Sequence, residues 1–180
     1  MIAGTTSKLS ATGNSKMNTN ENINLGLTNI WEVVCLDSEG NEKWREKKKN
    51  LIVTEGLNKI LDVMFHGTTA IGTWYIGLKG SGTPAAADTL ASQANWSEVS
   101  SYSGTRKEWT EGAASAGSMT NTTAIDFSIT GTATCAGAFL CSATSGTVGT
   151  LYGAVDFGTS RSVISGDTLQ VTVTVTAASA

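Results

Sequence analysis

The side chains in this sequence that could carry chemistry are few, and their spacing limits what they can do. There is one histidine, His66. A general base of that kind needs a nucleophile or carboxylate beside it, and none stands near it in the sequence. Its place at the end of a helical run suits a capping or surface residue. The three cysteines, Cys35, Cys135 and Cys141, are an odd number and include no CxxC pair, so neither a disulfide framework nor a zinc site is expected. Cys135 and Cys141 share parity, which in one uninterrupted strand would turn both to the same side. Buried free thiols are the expected state. Asp126 and Asp156 each lie within a strand-like run, where a charge marks the solvent face, and nothing selects them or any other carboxylates as a glycosidase pair. No GxSxG elbow or Asp-rich calcium loop occurs. Gly80-Ser81-Gly82 lacks the Gly-Lys-Ser/Thr that completes a phosphate-binding loop. Lys47, Lys48 and Lys49 suit a solvated sheet edge, where lysines discourage stray strand pairing, better than a phosphate site. The five tryptophans could build a sugar-binding platform, but most sit inside apolar or strand-like runs and point to core packing. No catalytic residue, cofactor or metal ligand is expected.

The composition agrees with a scaffold. At 180 residues the chain is long enough for one domain with a real core, and 40% of it is apolar. Charged residues make up only 15%, well under the usual quarter, and Gly, Ser, Thr and Ala fill the gap. A net charge of −3 argues against a nucleic-acid partner, which needs clustered positive charge. The first residues hold no apolar core of a signal peptide, and no apolar run approaches the roughly 20 residues that span a bilayer. Synthesis in the cytoplasm, without a membrane partner, is expected.

The elements that would position any surface follow from periodicity. Residues 1–27 are polar and rich in Gly, Ser, Thr and Asn. They form either a disordered terminus or an extended arm that orders on a neighbouring subunit through Leu9, Met17, Ile23, Leu25 and Leu27. NIWEVVCLD and EKWREKKKNLIV flank a short Gly40-Asn41 turn, the pattern of a β-hairpin. TEGLNKILDVMFHG predicts the one helix, over residues 55–66, with Thr54 as N-cap, Glu55 at the positive end of the helix dipole and Gly67 as C′ residue. Its apolar stripe, Leu57, Ile60, Leu61, Met64 and Phe65, is expected to be the buried face. TWYIGLK predicts a strand with Trp74, Ile76 and Leu78 on one face. A long loop with the single proline, Pro84, follows, then strand-like WSEVSSYS, and GAASAGSMTNTT is expected to be a flexible connector. TTAIDFSIT, TATCAGAFLCSA, TLYGAVDFG and TLQVTVTVT predict four more strands, with SRSVISGD as a link. In the last strand Leu169, Val171, Val173 and Val175 face one way and Gln170, Thr172, Thr174 and Thr176 the other. The expected fold is a mainly β, antiparallel sandwich (Greek-key or jelly-roll-like) over residues 28–180, with one helix and an extended N-terminal arm.

Three stretches are more specific than their composition: NLIVTEGLNKILDVMFHG followed by TWYIGLKG, ADTLASQANWSEVSSYSGTRKEW, and ATCAGAFLCSATSGTVGTLYGAVDFGTSRSVISGDTLQVTVTVT. Together, over residues 45–176, the sequence resembles a family of tailed-bacteriophage virion proteins. The resemblance implies a small structural component of the particle and carries over no catalytic residue. The function it implies is capsid decoration (a cement protein): binding the outer surface of the shell, with the major capsid protein and neighbouring copies of itself as partners, and homo-oligomers on the particle. A neck, head-fibre or tail-fibre adaptor of the virion remains open beside it, as does a carbohydrate-binding adhesion module. A hydrolase whose carboxylates meet only in the fold is the least favoured reading.

Overall fold

The structure, a computed structural model, describes residues 25–93 and 96–179. Eleven strands and one helix follow in the order β1 (Leu25–Leu36), β2 (Glu42–Lys49), β3 (Leu51–Ile52), α1 (Thr54–Phe65), β4 (Tyr75–Gly82), β5 (Trp96–Val99), β6 (Lys107–Glu108), β7 (Ser118–Thr120), β8 (Ile125–Ser128), β9 (Ala133–Cys141), β10 (Leu151–Val163) and β11 (Thr168–Ser179). They form two antiparallel sheets. In the first, β2, β1 and β11 lie side by side, and β7 and β8 share the far edge of β11. In the second the order is β3-β10-β9-β4-β5, with β6 also on β4. The chain therefore changes sheet after β2, β6, β8 and β10. The first and last described strands pair along their whole length, from Leu25 opposite Ser179 to Leu36 opposite Thr168.

The main core lies between the sheets. Trp31, Val33 and Cys35 of β1 and Leu169, Val171 and Val173 of β11 meet Ile76, Leu78, Leu140, Val155 and Phe157 from the other sheet. Alternation sets this arrangement, as the period of a half-buried strand requires. The opposite face of β11 stays half-buried, and its hydroxyls are bonded across strands. Thr174 donates to Thr120 at 3.2 Å, and the Ser118 and Thr176 hydroxyls lie 3.1 Å apart. The hairpin is present, with β2 at a sheet edge and Lys47 and Lys49 exposed on it.

A second, smaller core covers the other face of the second sheet. Leu90, from the loop after β4, packs there with Val53, Trp96, Phe139, Cys141, Leu151 and Ala154. The second sheet is thus covered on both sides, which is why the run from Cys135 to Cys141 is buried at every position. Such a run cannot alternate apolar with polar.

Four local expectations are corrected. Cys135 belongs to the main core and Cys141 to the second. The β9–β10 pairing changes register between Asp156 and Arg161, opposite Gly137 and Cys135, so shared parity no longer means a shared face. SRSV continues β10 and does not form a link. The stretch expected to be a flexible connector contains β7, and Asn121 just after it is anchored. The Asn121 Oδ1 accepts from Val173 N at 2.7 Å and Trp109 Nε1 at 3.3 Å, while its Nδ2 donates to Thr123 O at 2.6 Å and Val171 O at 3.2 Å. The N-cap position is Val53, with no side-chain cap, because Thr54 is already in the helix and its N–H donates to Ala86 O. Gly67 does take the left-handed conformation (φ 70°) expected after the helix.

Candidate functional site

Among the described residues the buried titratable groups are tied into structural contacts. The Arg106 side chain is 2% exposed and makes a two-pronged pair with Glu98, at 2.8 and 2.7 Å. It also donates to Ala143 O and Gly146 O and lies over the Phe139 ring. This guanidinium ties β5 to the loop after β9, and every direction of its fork is used. Lys79 is fully buried. Its ammonium lies 3.2 Å from Asp156 and donates to Gly80 O and Gly82 O. Asp126 is exposed on the outer face, where it accepts from Gln170 at 3.1 Å. The two strand carboxylates expected at the surface are therefore structural partners. The lone His66 closes the helix through its backbone N–H to Asp62 O. Burial raises all three thiols, Cys35 and Cys135 to about 11, and holds them protonated. Among the described residues no three His, Cys, Asp or Glu side chains are grouped to hold a metal ion. No helix there is long and apolar enough to cross a membrane.

The tryptophans do not form a platform. Trp31, Trp96 and Trp109 are buried, and Trp44 and Trp74 are half-buried against the main core. Trp96 Nε1 donates to Asp88 at 2.9 Å.

The feature most suited to binding is apolar and sits at α1. The helix is held by its first turn. Val53 N–H donates to Tyr152 O, and the Glu55 carboxylate accepts from Leu151 N at 2.7 Å and Leu90 N at 3.2 Å. Glu55 thus joins the helix to β10 and to the loop that seals the second core, a larger role than meeting the helix dipole. Gly56 is the helix's one buried residue. A Cβ there would stand 2.2 Å from Tyr152 O, so only glycine permits this approach. The contact at Gly56 fixes the rotation of the helix. The row Gly56, Ile60, Val63 turns toward the sandwich, and the expected buried stripe turns out. Leu57 is 42% exposed, Leu61 54%, Met64 68% and Phe65 82%. Of that stripe, only Ile60 packs against the core.

Between the inward row and the end of the sandwich lies an apolar groove of about 470 Å³. Trp74, Trp109, Leu140 and Tyr152 line it from the sandwich, Lys59, Ile60, Val63 and Met64 from the helix, and Leu27, Met119 and Val175 from the first sheet. Trp74 and Tyr152 meet there edge to face, with centroids 5.7 Å apart. Of the residues expected to bind a partner, Leu9, Met17 and Ile23 lie outside the described residues. Leu25 and Leu27 are in β1, and Leu27 is half-buried on the groove. The sequence flagged the aromatic floor only as core, because its residues come from segments far apart in the chain.

A two-sheet sandwich with a bonded hydroxyl face, an apolar groove and titratable groups locked into structural pairs is the make-up of a structural or binding domain. Residues 53–178, more than two-thirds of the chain, match the family described as Podophage GP4 fiber I protein gp80. The chain belongs to this family of phage virion structural proteins. No curated protein matches it.

Proposed function

We propose that the protein is a non-enzymatic component of a tailed-phage particle, and specifically a fibre-class protein that projects from the virion surface. The family match over residues 53–178 carries this reading. The fold supports it: buried Arg106 and Lys79 stiffen the sheets, and the thiols are held unreactive. Attachment runs through the segment ahead of β1, which contains Leu9, Met17 and Ile23, with extended-chain docking as the physical route. Electron microscopy of particles carrying a label on this chain tests the location. Label on projecting fibres, at a low copy number, is the expected result; label distributed over the whole shell would overturn it.

That second outcome is the capsid-decoration reading, with the major capsid protein as partner. The hydroxyl-covered outer face of β11 favours it, since half-buried, mutually bonded Thr and Ser carry little charge to desolvate against a shell. Removing residues 1–24 bears on both readings. Loss of particle association with unchanged melting is expected, and full-strength association would move attachment to the sandwich.

A further inference from the structure

The apolar arc of α1 is wider than its seat on the sandwich. Leu57, Ile60, Leu61, Val63, Met64 and Phe65, set 100° apart in turn, cover roughly 200° of the helix, about twice what packing on one body needs. One half of the arc faces the groove. The other half, Leu57, Leu61, Met64 and Phe65, has no partner among the described residues and is between 42% and 82% exposed. Met64 belongs to both halves, since it also lines the groove, so the outward row and the groove form one continuous patch.

We propose that this patch is the contact through which two copies of the chain dock, the outward row of each α1 seating in the groove mouth of the other. The patch is self-complementary, with projecting Met64 and Phe65 beside a concavity of about 470 Å³, as a two-fold contact requires. Glu55 and Asp62 lie on the opposite side of the wheel from the row, and Lys59, the one charged residue on the groove, has its ammonium on Thr69 O at 3.1 Å, so the contact meets a single, hydrogen-bonded charge. The exposed fractions of the row's four side chains amount to roughly 400 Å² per copy, within the range of the largest and often functional patch on a monomer. Counted on both copies and extended by the groove rims, it approaches the ~1,200 Å² at which specific pairs begin. A small ligand would fill the groove and leave the row bare, whereas a second copy covers both.

Sedimentation of the full chain over a wide concentration range tests this. The wild type should self-associate, and the double variant Leu61→Ser, Phe65→Ser should associate at least about tenfold more weakly. Both side chains are exposed, so the monomer should keep its melting temperature and circular dichroism. Val148→Ser, 90% exposed in the loop after β9, should leave association unchanged. A wild type that is monomeric throughout, or a double variant that associates as tightly as the wild type, would overturn the proposal. Protection of the α1 amides from hydrogen exchange only on assembled particles would likewise overturn it, and would assign the patch to a different virion protein. The proposal holds for a fibre or a shell protein alike, so the label's position on the virion and the sedimentation result can fail separately.

Discussion

In β11, Leu169, Val171 and Val173 are fully buried; in α1, Leu57, Leu61 and Met64 are 42%, 54% and 68% exposed. The two elements are of equal length. They differ in how many neighbours fix their rotation. β11 is hydrogen-bonded on both edges, to β1 along one side and to β7 and β8 along the other, and slipping by one residue would reverse every side chain. The helix is fixed at one end, by Glu55 and the close approach at Gly56. A glycine that lets the backbone in closest can therefore outrank an apolar stripe in choosing which side of a helix faces the body.

Four measurements would break or sharpen this contrast. Phe127, fully buried between the sheets and edge to face with Tyr102 at 5.0 Å, should cost about 3–5 kcal/mol on Phe127→Ala, read by denaturant unfolding. A loss below 1 kcal/mol would mean the inter-sheet core is not the main source of stability. The second test uses pH. The Cys135 thiol is pushed up to about 11 by burial, while an unfolded thiol ionises near pH 8.5. Between those values the unfolded state has lost a proton that the folded state keeps. Stability is therefore constant below the unfolded value and falls as pH rises toward 11, by about 3 kcal/mol for this thiol. Cys135→Ala should flatten that part of the curve, and an unflattened curve would assign the alkaline loss to other groups, such as Tyr102, raised to about 12 mainly by burial.

At the helix anchor, Gly56→Ala should cost about 1–3 kcal/mol by forcing α1 off the Tyr152 carbonyl. The amides of α1 should then exchange faster while those of β11 do not; equal acceleration in both would show that the helix is not anchored separately. The smallest effect belongs to the outward row. Leu61→Ala should change the stability of the dilute monomer by less than about 0.5 kcal/mol, and a loss of 2 kcal/mol or more would place that row inside the fold.

Much of the sandwich was legible because its signals are local. The alternation of Leu169 to Val173, the Gly40-Asn41 hairpin and the Ile125-Phe127-Ile129 set each state a facing within a few residues, and all three stand in the fold. The unread features depend on contacts across the chain. The burial of Lys79 needs Asp156 and the bare backbone of Gly137, where a Cβ would lie 2.0 Å from Val155 O and 2.7 Å from Lys79 Cε. The second core needs Leu90 to fold back over Phe139 and Trp96. The groove was foreshadowed only by Leu27; its Trp74, Trp109 and Tyr152 lie in separate segments and carry the same apolar signal as any core aromatic.

The pairing of β1 with β11 has a mechanical consequence. Leu25 and Ser179 are opposite one another, about 5 Å apart as cross-strand partners are. Tension applied to the chain on either side of these two residues would act across the ladder and load its hydrogen bonds one after another, like a zipper opened from its end. Tension carried between the α1 end of the sandwich and the outer face of the first sheet would spread over the whole packed interior. Load that reaches the domain through the segment ahead of β1 therefore meets the ladder at its end, whereas load that reaches it through the faces of the sandwich meets the whole core.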